Sequence, residues 1–273
     1  MKYSCRMIVA MALLVPAHSY GDTLGSDKPL PPAIQTLVSN MVYVQGGSFT
    51  MGATDNQKSD AESDEKPAHT VVLTSYKIGK YEVTQEEWCA VMERNPAEFK
   101  GAHMPVENVS WNDCQVFLRK LNDMSGMAFR LPTEAEWEFA ARGGKQSRNY
   151  KYAGSNNVDS VAWHRGNSGN KPHEVGQKMP NELGLYDMSG NVYEFCNDWK
   201  GKYTAEDQQN PQGPQEGTNR VNRGGRWCGG KGACRVSDRS MCKPDDRFYH
   251  LGLRLALSVE EDTETEPIPT NKD

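Results

Sequence analysis

Residues 144–232 are rich in Gly, Asn, Pro, Trp and Tyr and hold no sustained period of 3.6 or 2. Amphipathic helices and half-buried strands reveal themselves by those periods, so most of this stretch is expected to fold as ordered loop. Loop of that length inside one domain needs fixing points, which can be a metal ion, disulfides or buried tryptophans. Trp163, Trp199 and Trp227 are the candidate anchors.

The flanking sequence is more regular. VYVQGGSFTMG at residues 42–52 alternates as an early strand pair does, and residues 71–83 continue the strand character. Between them, residues 55–67 form a charged loop too polar to bury. Three helix starts follow, each with its own cap: Thr84 precedes Glu87, Ser110 precedes Asp113, and Thr133 precedes Glu136. In each pair the hydroxyl and the carboxylate can satisfy free amides of the first turn. Trp88 with Met92, the stripe Trp111, Cys114, Phe117, Leu118 and Leu121, and Trp137 with Ala140 predict one buried face per helix.

Lys2 and Arg6 precede an apolar run over residues 7–15, and Ala17 and Ser19 stand at the expected cleavage spacing. Residues 1–19 therefore read as a signal peptide, the run being about half of the roughly 20 apolar residues a membrane span requires. The predicted organisation is a linker at 20–40, a folded domain at 41–257 and a disordered acidic tail at 258–273. No other stretch is apolar enough to span, so an exported protein, periplasmic or extracellular, is expected. With 31 Lys+Arg against 36 Asp+Glu and no basic cluster, the charge argues against nucleic acid as a partner.

Without Cys5, the cysteines are Cys89, Cys114, Cys196, Cys228, Cys234 and Cys242. An oxidising compartment permits disulfides, and Cys228, Cys234 and Cys242 are close enough in sequence for a local one. Cys114 falls on an apolar helical stripe and reads as a buried small hydrophobe.

NELGLYDMSGNVYEFCNDW at residues 181–199 places Asp187 and Glu194 around a tight Gly190-Asn191 turn, an arrangement able to gather oxygens around a hard cation. The alternative is that both carboxylates bind loop amides and arginines. This segment has companions in order: RLPTEAEWEFAARGG at 130–144, RVNRGGRWC at 220–228, CRVSDR at 234–239 and HLGLRLAL at 250–257. Together they resemble the formylglycine-generating enzyme, or sulfatase-modifying factor, family. The resemblance implies a single α+β domain, related to the C-type lectin scaffold and rich in irregular loops. It also implies a calcium site with Asp187 and Glu194 as side-chain ligands and Gly190 and Val192 as carbonyl ligands.

Catalytic members carry a serine after a Gly-Gly turn and, beyond it, two cysteines separated by four residues. That pair binds copper(I), a soft ion suited to thiolates, and uses oxygen to convert a substrate cysteine to formylglycine. Here the turn is Gly224-Gly225, Arg226 takes the serine position, Gly229 takes that of the first cysteine, and Cys234 that of the second. Cys228 falls one residue early, and Tyr193 replaces the tryptophan more usual in the cation loop. Cys228 and Cys234 are thus the candidate catalytic and copper-binding residues, with structural roles as the alternative.

Arg130, Arg142, Arg223, Arg235, Arg239 and Arg254 lie in the family-like motifs, and arginine–carboxylate pairs holding irregular loops would use these residues. The expected function is a calcium-stabilised component that binds a polypeptide or protein partner, or acts in assembly, with an altered cysteine site. Its alternatives are a copper-dependent oxidase that matures sulfatases and another exported oxidative tailoring enzyme.

Overall fold

The computed structural model describes residues 29–57 and 59–259. The leader expected at 1–19 and the tail from residue 260 onward lie outside the described residues. In chain order the elements are α1 (Pro32–Ser39), β1 (Met41–Val44), β2 (Gly47–Met51), β3 (His69–Leu73), β4 (Tyr76–Gly79), α2 (Gln85–Val91), α3 (Trp111–Ser125), β5 (Phe129–Arg130) and α4 (Glu134–Ala141). They continue as α5 (Val158–Val161), β6 (Tyr193–Trp199), β7 (Gln208–Gln209), β8 (Arg220–Arg223), β9 (Ser240–Cys242), β10 (Leu251–Leu253) and β11 (Ala256–Ser258).

The strands form three small sheets, in the orders β1-β4-β11-β5, β10-β6-β8-β9 and β2-β3-β7. This is the mixed α+β architecture expected. β1 and β2 do not pair with each other: β1 runs antiparallel to β4, and β2 antiparallel to β3. Alternation fixes which side chains face inward but not which strand is the neighbour. β6 escaped detection because five of its seven positions are buried, on both faces and with Glu194 and Asp198 among them, so apolar and polar residues do not alternate along it.

All three capping boxes form at Thr84, Ser110 and Thr133. α3 buries Cys114, Phe117, Leu118 and Leu121, and Trp88 of α2 stacks on Phe117 at 4.9 Å. α1 corrects the linker expected at 20–40. Proline at its first turn starts a helix, and Ile34 and Leu37, three residues apart on one face, are buried in the same core as Trp88 and Phe117. α4 departs from the one-face expectation, for all eight of its residues are buried, including Glu134, Glu136 and Glu138.

Those glutamates are paired. Arg239 grips Glu134 through Nε and Nη2 at 2.6 Å each, and Arg130 grips Glu136 at 2.6 and 2.7 Å. Arg142 and Arg223 converge on Glu138. The charged loop at 55–67 is pinned in the same way: Glu65 is fully buried, held by Arg235 at 2.6 and 2.7 Å and by the Ser237 hydroxyl at 2.6 Å. That loop was expected to stay out of the interior, and a bidentate partner is what allows it in.

Candidate functional site

The turn before β6 carries the predicted cation ligands. Asp187, Gly190 and Asn191 all adopt positive φ, at 59, 85 and 57°. A Cβ on Gly190 would stand 2.4 Å from the Trp163 carbonyl oxygen, so only glycine fits. Its amide donates to Gly224 O at 2.7 Å, which ties this turn to the Gly224-Gly225 turn.

Asp187 is buried. Its Oδ2 accepts from the Gly176 amide at 2.7 Å, while Oδ1 is buried with no hydrogen-bond partner. Glu194 is engaged by Arg254, at 2.6 Å to Oε1 and 2.9 Å to Oε2, and by the Trp137 indole at 2.6 Å. Both alternatives considered for these carboxylates are thereby drawn on: Glu194 holds an arginine, and Asp187 keeps an open oxygen.

A third carboxylate, Glu82, was not singled out in the sequence. It accepts from Asn191 Nδ2 at 2.7 Å and from the Val192 amide at 3.1 Å. The available signal was an acidic residue set between Tyr81 and Val83 in a strand-like segment. Burial pushes the Glu82 carboxyl well up, and the charges of Asp187 and Glu194 push it further. Asp187 rises to about 6, mainly through burial and against the pull of Gly176 and Arg254. The neighbourhood thus carries more carboxylates than Arg254 neutralises, and an orphaned buried acceptor faces it. Of the predicted pair, both Glu194 oxygens are committed to Arg254 and Trp137 and Asp187 Oδ1 is the open oxygen, and among the described residues no group of three or more His, Cys, Asp and Glu side chains is placed to hold a metal ion.

The cysteine region fits copper(I) poorly. A Cβ on Gly225 would meet Ala233 O at 2.6 Å and Cys234 Sγ at 3.0 Å, so this turn lies directly on the Cys234 thiol. Cys234 is fully buried in an apolar cluster with Tyr152, Val158, Val161 and Ala162. Burial pushes its thiol up to about 12, with Asp238 adding to the effect. A copper(I) ligand must be a thiolate, and apolar burial opposes forming one. Cys228 is partly exposed, and its carbonyl accepts from Arg165 Nε at 2.9 Å. All six described cysteines are free thiols, so the local disulfide considered from the sequence is not formed here.

Arg226 extends over the Tyr193 ring, 5.3 Å from its centroid, and its Nη1 meets His250 Nε2 at 3.2 Å. Trp227 packs edge-on against Phe99 at 5.5 Å and beside Tyr249 at 5.7 Å. Phe99 also lines a cavity of about 330 Å³ with Lys100, Met104, Lys171, Pro172 and His173. The cation turn helps to shape this groove, since Asn191 O accepts from the Trp227 amide at 2.7 Å and Asn191 Oδ1 from the His173 amide at 2.9 Å. Sequence reading missed the groove because its lining comes from separate loops that show no common spacing.

The sequence matches the sulfatase-modifying factor enzyme 1-like domain over residues 27–259. It is 34% identical to the chaperone protein LppX of Paenibacillus barcinonensis, over 92% of this chain and 97% of that protein. It is 29% identical to the formylglycine-generating enzyme of Thermomonospora curvata, over 81% of this chain and 94% of that one. Among solved structures, Treponema denticola variable protein 1 superposes with a TM-score of 0.74 at 35% identity, covering 80% of this chain and 95% of its own. With its fold, its paired arginines and its two joined turns accounted for, the chain belongs to the sulfatase-modifying factor enzyme 1-like family.

Proposed function

We propose that this protein is an exported, calcium-stabilised component that binds polypeptide through the groove beside Trp227, and that its altered cysteine site does not act as an oxidase. The observation that carries this reading is Cys234, sealed beneath Gly225 in an apolar cluster with its thiol pushed up to about 12. A thiol so placed behaves as a packing group. The position of the first catalytic cysteine is Gly229, which has no side chain to offer a metal. The similarity to a protein named as a chaperone supports a polypeptide partner. Export, to the periplasm or beyond the cell, rests on the charged and apolar pattern of residues 1–19. Among the described residues no helix is long and apolar enough to cross a membrane.

In this reading Asp187, Glu194, Gly190 and Val192 hold calcium, whose chemistry here is charge neutralisation of a carboxylate cluster rather than catalysis. The second reading, a copper-dependent oxidase acting on a peptide cysteine, is favoured by one observation: Cys228 is a free, partly exposed thiol. Titration of the reduced protein with copper(I), followed by mass spectrometry of a cysteine-bearing sulfatase-motif peptide, separates the two. Our reading expects no stoichiometric copper and no formylglycine, with binding of peptide in copper-free buffer that contains calcium. Copper at one equivalent with formylglycine product would overturn it.

A further inference from the structure

Two arginines of the family-like motifs, Arg220 and Arg226, form no ion pair among the described residues, and Arg220 is engaged instead by the Asn197 carbonyl at 2.6 Å and by the faces of Trp111 and Trp199. Arg130, Arg142, Arg223, Arg235, Arg239 and Arg254 each pair with a carboxylate. The polar side-chain contact of Arg226 is the uncharged edge of His250, and its Nε is buried without a partner. His250 adds no competing charge, because burial and the adjacent guanidinium hold its imidazole down at about 4. Its Nδ1 is also buried without a partner. With Nε2 facing the guanidinium as acceptor, Nδ1 carries the proton, so both unpartnered atoms are donors that need an acceptor.

The surroundings extend the same sign. The chain is acidic overall, at -5, yet Lys100 and Lys171 line the adjoining groove against a single acid, Glu174. Arg165 reaches the Cys228 carbonyl beside the turn. Aromatic surface completes the site. Phe248 and Tyr249 are 39% and 49% exposed and pack against His250 at 5.3 and 5.2 Å. A guanidinium without a counterion beside exposed rings is a receptor for a carboxylate carried on an apolar segment.

We propose that Arg226 is the specificity-determining residue of the groove: it pairs with a carboxylate of the bound polypeptide, so the groove selects acidic segments bearing aromatic side chains. This rests on the polypeptide-binding reading above and adds the class of polypeptide. Apolar side chains of the segment lie against Phe248 and Tyr249, and Lys100 and Lys171 attract its further acids.

The test uses fluorescence anisotropy with two labelled peptides of equal length, one alternating Glu and Phe and the other carrying Gln for every Glu. The acidic peptide is expected to bind about tenfold more tightly or better, as a charge-assisted pair over a neutral one. Arg226→Gln should erase that preference, and Arg226→Lys should keep part of it, with thermal melts of both variants confirming the fold. Equal binding of the two peptides by the parent, or a preference that survives Arg226→Gln, overturns the assignment while leaving polypeptide binding intact. Binding of neither peptide overturns both.

Discussion

The region around α1, α2 and α3 and the region around α4 solve the same problem with different chemistry. In the first, Ile34, Trp88, Phe117 and Leu121 close an apolar core between α1, whose face the prolines obscure, and α2 and α3, whose stripes are visible in the sequence. In the second, a helix is buried on every side with three glutamates on it, and arginines both adjacent (Arg130, Arg142) and distant in sequence (Arg223, Arg239) neutralise them. Hydrophobic burial is non-directional and suits elements that present whole faces. Loops that present no face are held instead by bidentate ion pairs, which fix both position and orientation. The second solution is the more brittle. Loss of one partner strands a buried charge, whereas loss of a methylene leaves a void.

The largest effect expected from this contrast is at Glu65. Glu65→Ala leaves buried Arg235 with only the longer contact to Asp238 at 3.4 Å and should destabilise by about 3–5 kcal/mol in denaturant unfolding. The double variant Glu65→Met with Arg235→Met should recover part of that loss, since an apolar pair of similar size fills the site and leaves only Asp238 short of its 3.4 Å partner. A double variant as unstable as the single one would show that charge neutralisation is not what holds the loop. In the apolar region, Leu121→Ala should cost about 2–5 kcal/mol through transfer and cavity terms, with the same value at pH 4 and pH 7.

Acid separates the two regions next. Burial alone would raise the Glu134 carboxyl, but Arg239 and Arg223 outweigh it and hold it at about 2, below the ordinary 4.5. A depressed carboxylate stabilises the fold above its unfolded pKa, and that contribution is lost as pH falls from about 4.5 through 2. The loss is on the order of 3 kcal/mol. Thermal melts of Glu134→Gln should show a shallower acid limb than the parent, and parallel limbs would count against the pairing.

The smallest effect expected is at the cation turn. Asp187 has the opposite sign, its carboxyl being raised from 3.8 to about 6, so its contribution is present below pH 3.8 and fades as pH rises through 6. Calcium should therefore raise the melting temperature at pH 7 by an amount corresponding to about 1–3 kcal/mol when well above its dissociation constant. Asp187→Asn should remove both the calcium response and the fading. A parent protein that melts identically with calcium and with chelator would defeat this assignment.

Legibility in the sequence followed the same division. Thr84, Ser110 and Thr133 could be read as caps because capping is local, and the α3 stripe because its period is local. That the motif arginines would meet carboxylates was also readable, but not which ones. Glu65 and Arg235 are separated by 170 positions, and no short-range pattern joins them. Glu82 was missed because a lone acid in strand-like sequence normally faces solvent, whereas here three loops converge on it. The helix α1 was passed over because its prolines read as linker, although one of them begins the helix. At the cysteine site, the turn and the displaced spacing were readable, while the depth at which Cys234 lies was decided by Ala162 and its neighbours from another loop.

The span of the ion pairs also bears on the order in which the chain can be completed. Glu65 must wait for Arg235 and Glu134 for Arg239, over 170 and 105 residues, and the Gly79 carbonyl waits likewise for its hydrogen bond from Arg254 over 175. Long-range closure of this kind slows folding, because loop entropy is lost before the contact forms. A chain delivered from its N-terminus would therefore hold Glu134 without Arg223 and Arg239 until those residues emerge, while Glu136 and Glu138 already have Arg130 and Arg142 beside them. Completion of these contacts is in that sense set by the arrival of the segment from Arg235 to Arg254.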